Sequence, residues 1–274
     1  MTEKRFSSAC VKLPDGYENP DKVFANCNYL DEYHSERNNM KYNLKILRRK
    51  SQEDSPYWQT FELETDLAEA TAATALTLLN QREPLLTADG HPARKILWDC
   101  SCLQKKCGAC AMVICGRPQL ACNVRLSEIK EKCITIEPLR KFPVIADLIV
   151  DRSILFRNLM KIESWLTEDT EASEDKDGIL YEASRCLQCG CCLEICPNFY
   201  AGSSFFGMAS MVPVSRLLEE LPRDKKKELK KAYRKHVYSG CGKSLACRDI
   251  CPAGIDMEKL LVNSNAVALW KWFF

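Results

Sequence analysis

The chain has 274 residues, 46% of them hydrophobic and 28% charged, with a net charge of +2. That is enough apolar material for one large domain or two ordinary ones, and no charge excess marks a nucleic-acid binder. No run approaches the roughly 18 apolar residues of a membrane span, and the opening "MTEKRFSSACVKLPDGYENP" lacks the apolar core of a secretion signal. A reducing compartment is therefore expected, where 17 cysteines point to metal or redox chemistry rather than disulfides. The three histidines, His34, His91 and His236, all fall outside the cysteine clusters, which argues against mixed Cys/His zinc and Rieske sites.

In chain order, residues 1–40 are polar and aperiodic, carry Cys10 and Cys27, and read as an extended arm. "KYNLKIL" alternates at Tyr42, Leu44 and Ile46, and "YWQTFELE" at Tyr57, Phe61 and Leu63, so both predict half-buried strands. Asp66 and Glu69 have the spacing of a capping box, and Ala68, Ala72, Leu76 and Leu79 then line one face of a helix that Pro84 ends. Short strands are expected at "KILW", "AMVI" and "CITIE". Strand, strand, helix, then strands around cysteine loops is the order of a ferredoxin-like β-grasp domain.

From Val144 onward the pattern is helical: "VIADLIVDRSILFRNLMKIESWL", "SMVPVSRLLEEL", "DKKKELKKAYRKHV" and "DMEKLLVNSNAVALW". "TEDTEASEDKDG" reads as an acidic surface loop, and the eight Lys/Arg of residues 223–235 as a solvated face, with phosphate or lipid contact as the alternative. Trp270, Trp272, Phe273 and Phe274 suit a core, another subunit or a membrane interface. The fold class is α+β, a β-grasp [2Fe–2S] ferredoxin-like domain over 41–146 followed by an all-α domain over 147–274.

The cysteines form three constellations. Cys102, Cys107 and Cys110 have the four-then-two spacing of plant-type [2Fe–2S] ferredoxins, closed by Cys122 after eleven residues. A short loop must wrap a small inorganic core and donate backbone N–H groups to its sulfurs, and Gly108 and Gly116 suit that close approach. A Cys₄ zinc site is the alternative. "CLQCGCCLEICP" and "CGKSLACRDICP" share one ruler, but Ser244 occupies the second slot of the later stretch. In the run C-x₂-C-x₂-C-x₃-C-P the fourth cysteine ligates the other cluster. Cys186, Cys189, Cys192 and Cys251 then hold a [4Fe–4S] centre, and Cys196, Cys241 and Cys247 hold a second centre with three thiolates, the number a [3Fe–4S] core needs. Ser244 as an oxygen ligand to a fourth iron is the alternative, although an alkoxide is harder and more basic than a thiolate. Cys10, Cys27, Cys100, Cys115, Cys133 and Cys191 stay unassigned.

A [2Fe–2S] β-grasp domain followed by these two runs resembles the iron–sulfur subunit of succinate dehydrogenase and fumarate reductase, over roughly residues 41–268. The resemblance rests on "CGACAMVICGRPQLAC", with Cys115 where the family typically has asparagine, on "IEPLRKFPVIADLIVD", and on the two paired stretches. It implies an electron wire between a flavoprotein subunit, which interconverts succinate and fumarate at FAD, and a membrane quinone. It also implies membrane anchor subunits, which can carry cytochrome b. The implied place is peripheral, on the cytoplasmic face of the cell membrane or the matrix side of the mitochondrial inner membrane. No substrate acid–base pair or nucleotide loop is evident, so the chain alone is not expected to turn over succinate.

The resemblance breaks where quinone chemistry is expected. Ubiquinone-linked members have an aromatic pair with tryptophan after Cys-Pro and a histidine after the first cysteine of the last stretch. Here Pro197 is followed by Asn198, Phe199 and Tyr200, and Gly242 replaces the histidine. Pro197, Phe199, Tyr200, Gly242 and Ser244 are the quinone-side candidates, and the departure leans towards menaquinone and fumarate reduction. A soluble relay in a thiol- or disulfide-linked reductase, of the heterodisulfide-reductase kind, is the other reading.

Overall fold

The alternation at Tyr42, Leu44 and Ile46 becomes strand β1 (Met40–Arg48), and the next run becomes β2 (Tyr57–Thr65). The structure, a computed structural model, describes residues 40–67, 69–166, 175, 177–222 and 226–270. The expected arm, Ala68, most of the acidic stretch, residues 223–225 and the side chains of the aromatic tail lie outside the described residues.

β3 (Ala111–Ile114), β4 (Arg117–Leu120) and β5 (Cys133–Glu137) complete a sheet of order β2-β1-β5-β3-β4. β1 runs antiparallel to β2, with Leu44 opposite Phe61, and parallel to β5, with Leu44 opposite Ile134 and Ile46 opposite Ile136. These residues all point to one face and are buried. Helix α1 (Ala72–Gln81) contributes Leu76 and Leu79 to the same core, both 0% exposed. Burying each such side chain is worth about 1.5–3 kcal/mol.

The helix does not begin at the expected capping box. Thr71 is the cap: its hydroxyl accepts from Thr74 N–H at 3.1 Å. The chain before it is held extended, because Leu126 N–H donates to Ala70 O and Ala72 N–H to Val124 O. "KILW" is not a strand either. Its backbone bonds mostly to side chains, Ile96 exchanging two hydrogen bonds with the Asn80 amide and Leu97 N–H donating to Asp147.

The helix expected from Val144 begins later. Val144–Ala146 (β6) and Ile149–Val150 (β7) form a hairpin whose turn holds Asp147 at φ +43°. Asp147 is drawn inwards because its carboxylate accepts from Arg49 and Leu97 N–H groups and faces Arg94 and the fully buried Arg48. Arg48 Nε lies 3.0 Å from Asp147 but is not aligned for a hydrogen bond, so this contact is Coulombic. The hairpin straddles the expected boundary at 146/147.

The remaining described elements are helical: α2 (Ser153–Lys161), α3 (Ile179–Ser184), α4 (Cys191–Glu194), α5 (Met208–Glu220), α6 (Lys226–Tyr233) and α7 (Met257–Asn265). α6 and α7 each end in a π-helical turn, Arg234–Tyr238 and Ala266–Trp270. α5 is the central post, buried at Met211, Val212, Val214 and Leu218. Among the described residues no helix is long and apolar enough to cross a membrane.

Candidate metal centres

The loop between Leu97 and β3 is coiled by left-handed residues, Leu103 (φ 52°), Lys105 (φ 59°) and Gly108 (φ 76°). Its turns aim amide N–H groups at sulfur. Gln104 and Lys106 N–H donate to Cys102 Sγ at 3.3 Å, Ala109 to Cys107 Sγ at 3.5 Å, and Lys105 to Cys122 Sγ at 3.3 Å. Cys122 arrives from the short helical turn after β4, and Ala121 N–H donates to Cys110 O. The N–H groups of Gln104 and then Lys106 draw the Cys102 thiol down to about 7, whereas burial pushes Cys110 up to about 12. The loop thus already offers donors to negative sulfur, which is what a cluster held by thiolates requires.

The two paired stretches enclose two separate spaces. Cys186, Cys189, Cys192 and Cys251 line one small cavity. Cys196, Cys241 and Cys247 line another, with Ser244 in its wall. Cys196 and Cys251 therefore stand with the opposite run. Burial is the leading cause that raises Cys186 and Cys247 to about 11 and Cys192 further. Apolar walls that disfavour free thiolates favour sulfurs whose charge iron neutralises. Among the described residues no three His, Cys, Asp or Glu side chains converge tightly enough for a single ion; the sulfurs of these two groups stand round a space.

Cys191 is fully buried and does not line the cavity. Its side chain is the first influence drawing Cys189 down to about 7, and the charge of Arg152 acts in the same direction. Cys115 sits at φ 47° in the two-residue turn between β3 and β4, with Gly116 at φ 77°. This is the left-handed pair that favours Asn-Gly. Cys100 and Cys133 are exposed, and no described cysteine forms a disulfide.

Of the quinone-side candidates, Pro197, Gly242 and Ser244 line the cavity of Cys196, Cys241 and Cys247 and are exposed, and Tyr200 is exposed as well. Phe199 instead turns into the core, its ring 6.1 Å from that of Phe142. A Cβ on Gly242 would meet the Asn198 amide nitrogen at 2.9 Å, and that amide donates to Gly240 O. Asn198 thus occupies the space a side chain at 242 would need.

Several supporting residues carry no cysteine-motif signal. Gln188 donates its amide to Cys186 Sγ at 3.2 Å and to Ala209 O at 2.9 Å. Ala209 O is free because the residue four positions on is Pro213, which has no N–H to give back. A proline in the middle of a helix was the available clue. "IEPLRKFPVIADLIVD" acts as a clamp: Phe142 packs where a Cβ on Gly190 would lie at 2.9 Å, and Lys141 meets the Glu194 carboxylate and Cys196 O.

Residues 43–157 match the family described as 2Fe-2S iron-sulfur cluster binding domain, and residues 182–255 match the 4Fe-4S dicluster domain. The chain is 32% identical over 231 residues to the succinate dehydrogenase iron-sulfur subunit of Bacillus subtilis (strain 168), covering 80% of this chain and 89% of that one. The chain belongs to the succinate dehydrogenase and fumarate reductase iron–sulfur subunit family. Its electron-transfer role follows at that level. The fumarate reductase iron-sulfur subunit of Wolinella succinogenes, another member, is 28% identical over 218 residues, 74% of this chain and 86% of that one. The fold agrees with a chain of the Mycobacterium smegmatis Sdh1 complex in the apo form, at a TM-score of 0.65 and 20% identity, covering 85% of this chain and 98% of that one.

Proposed function

We propose that this chain is the electron-transfer subunit of a succinate:quinone or quinol:fumarate oxidoreductase, active only within its complex. In this reading Cys102, Cys107, Cys110 and Cys122 hold [2Fe–2S]. Cys186, Cys189, Cys192 and Cys251 hold [4Fe–4S], and Cys196, Cys241 and Cys247 hold [3Fe–4S]. The observation that carries it is the partition of the paired stretches between two cavities, with Ser244 beside the one that has three thiols. When bound, the centres pass electrons singly between the FAD of a flavoprotein subunit and a membrane quinone.

The chain's own contribution is to fix the sulfurs, exclude water and aim N–H groups at them. We read residues 41–146 as the [2Fe–2S] domain and 147–274 as a domain that is helical beyond strand β7. The exposed group Pro197, Tyr200, Gly242 and Ser244 marks the quinone side, facing membrane anchor subunits. Asn198 filling the space over Gly242 and the lack of tryptophan after Pro197 support menaquinone and fumarate reduction. The place is the cytoplasmic face of the cell membrane, or the matrix face of the inner membrane in a mitochondrion.

Purification of the tagged full chain from its native membrane tests this. Copurification of a flavoprotein and an anchor, with paramagnetic resonance of all three cluster types, is expected. Two [4Fe–4S] centres without a three-iron signal, or no flavoprotein partner, would overturn it.

A further inference from the structure

Arg152 precedes α2 and belongs to no cysteine stretch, yet it reaches the seam between two cysteine loops. Its Nη1 donates to Gly108 O at 2.8 Å and its Nη2 to Ala109 O at 2.5 Å. Gly108 is pressed against the other loop, since a Cβ there would lie 2.9 Å from both Cys189 Cβ and Leu187 O. One guanidinium thus fixes the turn between Cys107 and Cys110 at the place where that turn abuts the one between Cys186 and Cys189.

The charge on this group is largely retained. Two carbonyl acceptors are neutral, and the one carboxylate in contact, Asp99, is 3.4 Å from Nη2 and 43% exposed, while Arg152 is only 17% exposed. A half-exposed carboxylate is screened by water and cancels a shielded guanidinium incompletely. A fixed positive charge beside a centre that gains an electron stabilises its reduced form.

We propose that Arg152 is a shared positioning and charge-tuning residue for the first two centres, fixing the Gly108–Ala109 turn that abuts Leu187–Cys189 and raising both reduction potentials. The inference rests on the ligand sets proposed above. Lysine at 152 would keep the charge and lose the fork across two carbonyls.

The test is a potentiometric titration, read by paramagnetic resonance, of the intact complex carrying wild-type, R152Q or R152K chain. R152Q is expected to lower the reduction equilibrium constants of [2Fe–2S] and [4Fe–4S] about tenfold, ~59 mV for a one-electron couple, and to leave the third centre within about twofold. R152K is expected to recover both constants to within about twofold. Unchanged constants in R152Q, even with a lowered Tm, or a shift confined to one centre, would overturn the proposal. Should R152Q fail to assemble, D99N decides: removing the partial counter-charge is expected to raise both potentials, and a rise confined to [2Fe–2S] would overturn it. A wild-type complex lacking either signal refutes the functional reading itself, whereas normal wild-type signals that R152Q leaves unmoved refute only the role of Arg152.

Discussion

Ser244 stands in the wall of the cavity that Cys196, Cys241 and Cys247 line. A thiolate there would supply the ligand for a fourth iron. If that centre is the proposed [3Fe–4S], Ser244→Cys should replace its oxidised three-iron resonance with a [4Fe–4S] signal and shift its potential; an unchanged three-iron spectrum would show that residue 244 does not face a fourth iron position. Gln188 is the complementary case, one residue acting on one sulfur. Gln188→Leu removes the amide donor to Cys186 and leaves Ala209 O unpaired. Hydrogen bonds to sulfur stabilise the reduced, more negative cluster. The [4Fe–4S] potential should therefore fall while the other two hold, and the buried carbonyl should cost about 1–3 kcal/mol in a denaturant titration. The cysteine spacing was legible from sequence, because a loop around a small core restricts it. Gln188 was not, because its role depends on a proline 25 positions away that folding brings close.

At the scale of elements, sequence pattern located β1, β2, β3, β5, α1, α5 and α7; the buried faces of β1, β2 and β5 alternate with a period of two, whereas β3 is buried throughout. It failed where hydrogen bonds outweighed pattern. Asp66 and Glu69 have the spacing of a cap, but the chain at Ala70–Ala72 pairs with Val124 and Leu126 and stays extended. Thr71→Ala should thus cost about 1 kcal/mol of stability. Asp66→Ala and Glu69→Ala should each cost less than about 0.5 kcal/mol, since Glu69 makes only an exposed ion pair with Arg125. Comparable losses from all three in thermal melts would return the helix start to Asp66. The 144–150 hairpin was hidden for the same reason. Its apolar residues read as helix, and only the Arg48–Asp147–Arg94 group, assembled from three distant segments, turns the chain at Asp147.

For the whole molecule, the two families of contacts differ in what sustains them. The sheet and α1 bury Leu44, Ile46, Phe61 and Leu76 among themselves, whereas Cys186–Cys196 and Cys241–Cys251 fold round their cavities with only short helical segments. Stripping iron with a chelator should raise amide exchange in those two stretches on the order of a hundredfold and leave β1–β5 protected. Uniform loss of protection would show that the sheet depends on the clusters too. The sequence by itself determined the number and order of cysteine groups and the family, because ligand chemistry constrains residue type and local spacing. It also determined most elements, because burial imposes a period on each. Only the tertiary structure decided that Phe199 turns inward while Tyr200 stays out, and that Arg152 reaches the carbonyls of Gly108 and Ala109. Those facts depend on which distant segments meet, and close packing settles that over the whole chain at once.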